Sequence, residues 1–182
     1  MRTEIEQALV AKEVRDMAQY EAPQEVVRRA TEWARVLMDV VHQQKMFTLI
    51  DGNEHLDYEG WLLVATFDGA AVIPDWTKPI ERDGEIVGYL ARASLVKAGE
   101  VRASGEMSCY LTEFPCRGKT GDDKHRAAMS AAQTWAAAKA CRMRYSFVAK
   151  LAGFSPTPTE EMGGDTTALA GGSPQHYCTE HK

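Results

Sequence analysis

Residues 85–123 read EIVGYLARASLVKAGEVRASGEMSCYLTEFPCRGKTGDD, and the fold turns on how this stretch divides. From Ile86 the side chains alternate. Ile86, Gly88, Leu90, Arg92, Ser94 and Val96 fall on one face, and Val87, Tyr89, Ala91, Ala93 and Leu95 on the other. A period of two is the mark of a strand. Ala98-Gly99-Glu100 turns the chain, and Val101 to Leu111 returns. Upstream, Val72 to Thr77 reads as extended, its Pro74 implying an edge, and Arg82-Asp83-Gly84 is another turn. The result is a meander of three antiparallel strands.

On the C-terminal side, a polar loop runs from Thr112 to Asp123 and a long alanine-rich helix extends to about Leu151, capped by Asp122 or Asp123. Gly153 stops it, and Pro156 and Pro158 keep it stopped. On the N-terminal side, Asp57 caps a helix from Tyr58 to Asp68 with Gly69 after it. Met46–Ile50 is a strand, Asp51-Gly52-Asn53 a turn, and His55-Leu56 a short return. Pro23 opens a helix in which Val26, Val27, Ala30, Trp33, Ala34, Leu37, Val40 and Val41 recur at three- and four-residue steps. Ala8, Val10 and Val14 give a weaker stripe before it. The expected class is α+β: an antiparallel β-meander with the long helix packed on one face (a β-β-β-α core), N-terminal helices and a flexible C-terminal tail. Residues 1–162 form one domain on this reading and 163–182 the tail.

Composition bounds the function. The 182 residues are 45% apolar and 26% charged, as in a globular domain. The longest apolar stretch, Trp61 to Phe67, falls far short of the roughly 18 residues of a membrane span. The acidic N-terminus does not read as a targeting signal, and four unframed cysteines point to free thiols in a reducing cytoplasm. The net charge is −5, but residues 117–150 carry eight basic side chains against two acidic ones. A strongly basic segment in an acidic chain points to a polyanionic partner.

Within that segment Arg117 and Lys119 lie on the loop and Lys124 opens the helix. Trp135, Lys139, Arg142 and Lys150 fall within about 80° of one another on a helical wheel, whereas Arg126 and Arg144 fall on the other side. A tryptophan among cations is a platform for an unstacked base, and equally a core residue under a solvated surface. Lys78, Arg92 and Arg102 on the sheet are a second tier. No nucleophile–base motif, phosphate-binding loop or metal spacing stands out, so neither an enzyme nor a cofactor is expected. A metal-dependent nuclease would need a carboxylate cluster that the sequence does not display. His176, Cys178 and His181 have zinc-compatible side chains; with only Cys109 and Cys116 to complete a set, they read as part of a solvated tail.

Part of the chain also resembles a known group. Ala132-Gln133-Thr134-Trp135-Ala136-Ala137-Ala138-Lys139-Ala140-Cys141-Arg142, followed by Phe147 and then Leu151-Ala152-Gly153-Phe154-Ser155-Pro156-Thr157-Pro158-Thr159-Glu160-Glu161-Met162, is similar to the helix and closing motif of a set of phage and actinobacterial proteins. Leu56-Asp57-Tyr58-Glu59-Gly60-Trp61 is similar to a segment upstream in the same set, and the likeness spans about residues 23–162. That set in turn resembles the Erf-type single-strand annealing proteins of phage recombination. The resemblance implies a β-β-β-α core, a ring or filament of identical subunits, and single-stranded DNA held in a basic groove without nucleotide hydrolysis. It implies a tail that recruits a single-strand-binding protein. Trp135 stands where the group pattern has arginine. The sequence therefore leads to a cytoplasmic, homo-oligomeric protein of DNA recombination and repair that binds and anneals single strands. The alternative is a non-enzymatic oligomeric interaction module.

Overall fold

The computed structural model describes residues 22–157. The weak stripe at Ala8, Val10 and Val14, the end of the closing motif, and His176, Cys178 and His181 lie outside the described residues.

Helix α1 (Pro23–Gln44) starts on its proline, whose missing N–H is one the first turn does not need. It buries Ala30, Ala34, Leu37 and Val41, one stripe at three- and four-residue steps. Strands β1 (Phe47–Ile50) and β2 (Asn53–Leu56) form an antiparallel hairpin, and α2 (Tyr58–Phe67) follows. The second sheet is β3 (Ala71–Arg82), β4 (Glu85–Lys97) and β5 (Glu100–Tyr110), all antiparallel with β4 in the middle. A 3-10 turn (Phe114–Cys116) leads into α3 (Gly121–Leu151). All three hairpins use a two-residue loop ending in glycine, Asp51-Gly52, Asp83-Gly84 and Ala98-Gly99, with both residues at positive φ. That geometry matches the twist of paired strands.

The expected α+β architecture is the observed one, with local differences. Strand β3 runs on through Pro79 to Arg82, because an edge strand tolerates prolines that a central strand would not. Thr120, not Asp122 or Asp123, precedes the first turn of α3; the two aspartates sit inside that turn, at the positive end of the helix. Asp57 occupies the N-cap of α2, but its carboxylate accepts the Thr48 hydroxyl at 2.8 Å instead of capping.

Strand β4 buries Tyr89, Ala91, Ala93 and Leu95 under the helical layer, one of the two faces that its alternation separates. Two core clusters result. One gathers Leu37, Val41, Trp61, Val64, Tyr145, Val148 and Phe154 between α1, α2 and the second half of α3. The other gathers Tyr89, Ala91, Ala93, Cys109, Cys116, Ala128, Ala132 and Ala136 between the sheet and the first half of α3. Tyr58 and Val72 pack against both. Asp68 ties three elements together: Lys97 on β4 donates to one carboxylate oxygen at 2.6 Å and the Tyr145 hydroxyl on α3 to the other at 2.9 Å.

Past Leu151, Gly153 takes a φ of 90° and Phe154 N–H returns to the Ala149 carbonyl at 3.0 Å, a glycine-terminated helix end. The chain then lies along β2. Ser155 N–H donates to the Glu54 carbonyl, and buried His55 donates from Nδ1 to the Thr157 carbonyl, each at 2.8 Å.

Candidate nucleic-acid interface

Helix α3 spans 31 residues, about 46 Å at 1.5 Å per residue, and its two halves bury different faces. At about 100° per residue, Ala128, Ala132 and Ala136 share the face that meets the sheet. Cys141, Tyr145, Val148, Ala149 and Ala152 centre on a face roughly 150° away, which meets α1 and α2. Between them, Ala136, Ala137, Ala138, Ala140 and Cys141 are all buried, so the helix is covered over more than half of its circumference at its waist, with Lys139 half-buried on the remaining side. Only small side chains fit there. The contact is closest at Gly105 of β5, where an added Cβ would stand 2.5 Å from the Ala136 carbonyl oxygen and 2.7 Å from the Ala140 nitrogen.

This swing decides where the expected binding residues go. Trp135 lies on the sheet side of the first half, half-buried and packed against the second cluster. Lys139 lies against β5, with its Cβ beside Gly105 and its Nζ 3.6 Å from the Met107 sulfur. Arg142 is half-buried just past the waist. Arg117 and Lys119 are exposed on the loop before α3, and Lys119 donates to the Pro115 carbonyl at 2.8 Å. Lys124 is half-buried near the start of α3, about 27 Å along the axis from Arg142. The first-tier cations therefore form a broken track along the loop and helix, not one pocket.

The sheet cations are already engaged. Arg92 donates to Asp75 at 3.2 Å and to Glu106 at 2.9 Å, Arg102 pairs with Glu100 at 2.8 Å, and Lys78 stands 4.6 Å over the Trp76 ring. By the strand alternation, Lys78 and Arg92 point away from α3. They do not share a surface with the helix cations.

One feature of α3 escaped the sequence reading. Past the waist, one side of the helix is left open among the described residues. Met143, Phe147 and Leu151 there are 63%, 47% and 54% exposed. Arg144 and Lys150 flank them and make no ion pair among the described residues. The signal was the i, i+4, i+8 spacing of three apolar residues, hidden because the same helix buries another face.

The thiols are structural. Cys109, Cys116 and Cys141 are reduced and buried. Burial pushes the Cys141 thiol up to about 12. Burial, then hydrogen bonding to Glu113, pushes Cys109 up as well. No group of three or more His, Cys, Asp or Glu among the described residues is placed to hold a metal ion. No helix among them is long and apolar enough to cross a membrane.

No family model, no curated protein and no solved structure matches this chain.

Proposed function

We propose that this protein binds single-stranded DNA and anneals complementary strands as a homo-oligomer, without hydrolysing nucleotides. The observation that carries the reading is the charge of α3. From Lys124 to Thr157 there is no aspartate or glutamate, while Lys124, Arg126, Lys139, Arg142, Arg144 and Lys150 lie along the helix. Arg126 is paired with Asp123 of the first turn; for the cations farther along, a strand of phosphates is a fitting partner, and it releases its own counter-ions on binding. Annealing asks for nothing more reactive: the backbone must be neutralised while the bases stay free to pair. The order of elements, two hairpin strands, a helix, a three-stranded meander and a long helix, is compatible with the β-β-β-α core expected of annealing proteins.

The test is fluorescence anisotropy of a labelled single-stranded 30-mer at several salt concentrations, with duplex as competitor. Tight binding that falls steeply with salt and resists duplex is the expected result. No binding at low salt would leave the interaction module as the better reading of the basic helix.

A further inference from the structure

Phe147 stands on the exposed side of the second half of α3, an overhang formed with Met143 and Leu151 one turn to either side. Arg144 and Lys150 lie three residues before and after it, about 4.5 Å along the axis each way and about 60° to either side. An exposed aromatic ring is thus bracketed by two cations, and no carboxylate belongs to this helix beyond its first turn. Trp135 presents the contrasting arrangement: its ring packs against the second core cluster, and its neighbour Lys139 is turned to Met107. Phe114 is also exposed, but on its loop Glu113, Asp122 and Asp123 offset Arg117 and Lys119, whereas no acid stands near Phe147 in its helix.

We propose that the overhang of α3 is a base-stacking site for single-stranded DNA, with a base on Phe147 and the flanking phosphates at Arg144 and Lys150. The occupant follows from charge and size. Two cations with no ion pair among the described residues attract an anion, and a ring with apolar neighbours calls for a flat apolar face; a nucleotide offers both. A ridge of three apolar side chains is too small for the roughly 800 Å² per partner of a stable protein interface. This inference rests on the single-strand reading above and moves its stacking residue from Trp135 to Phe147.

The experiment is binding of labelled oligo(dT)30, and of the same strand carrying abasic sites, to wild type, F147A, F147W and F114A, with oligomer mass followed by light scattering. F147A is expected to bind oligo(dT)30 at least roughly fivefold more weakly at an unchanged salt slope. F147W should restore affinity, and F114A should leave it unchanged. Abasic sites should weaken the wild type yet cost F147A little further, since the stacking is already gone. If wild type binds and F147A binds equally well, this inference is wrong and the single-strand reading stands. If wild type binds no strand, both fall. If F147A changes the oligomer mass while abasic sites still weaken it as much as wild type, the overhang is a contact between copies and the proposal is overturned.

Discussion

The two halves of α3 differ in make-up and bury different faces. Gly121 to Ala140 has eight alanines, three lysines or arginines and two aspartates, and lies on β4 and β5 so closely that Gly105 has no room for a side chain. Cys141 to Leu151 has a single alanine, three lysines or arginines and no acid; it turns its other side to α1 and α2 and leaves Met143, Phe147 and Leu151 in the open. Which side of each half is scaffold and which is surface follows from what that half packs against: the sheet for the first, α1 and α2 with Leu95 of β4 for the second.

The hardest blow to this contrast falls at Gly105. A methyl group there meets backbone atoms of Ala136 and Ala140, which cannot swing aside, so G105A should cost about 2 to 3 kcal/mol in urea unfolding. F147A, on the exposed half, should cost less than about 0.5 kcal/mol by the same measurement. Equal stability of wild type and G105A would mean that α3 does not rest on β5.

A smaller effect sharpens the comparison from the inside. The Cys141 thiol ionises near 12 in the folded protein against an ordinary value near 9. Between these the unfolded chain gives up the proton and the folded one keeps it, so stability falls as pH rises from about 9 toward 12. Cys109 in the other cluster is shifted the same way by burial, and so is Tyr145 by burial and its bond to Asp68. The urea midpoint should drop between pH 8 and pH 10.5, and C141A should flatten that drop. Because Tyr58 and Val72 touch both clusters, a single transition is expected. Two separate transitions would make the halves of α3 independent units.

Much of the architecture was legible because it is written in local patterns. The alternation set Tyr89, Ala91, Ala93 and Leu95 apart on one face of β4, the face that packing then buries, and three glycine-ended loops fixed the hairpins. Pro23 and Gly153 marked the ends of α1 and α3. The candidate site was legible in its charge and not in its geometry. A helical wheel assumes one buried face, and on that assumption Trp135, Lys139, Arg142 and Lys150 formed one stripe with Arg144 behind it. The swing at the waist separates them: it tucks Trp135 and Lys139 toward the sheet and brings Arg144 and Lys150 to either side of Phe147. Arg92 was equally opaque, because its two acidic partners come from β3 and β5 and only the register brings them together.

The division of labour within α3 is tested most directly by hydroxyl-radical footprinting of the full chain with and without oligo(dT)30, read residue by residue by mass spectrometry. Met143 and Phe147 should lose reactivity when the strand is added, and Trp135, already packed against the core, should not change. Protection of Trp135 with Met143 and Phe147 left as reactive as before would contradict it, and would put the strand on the sheet-side half of the helix.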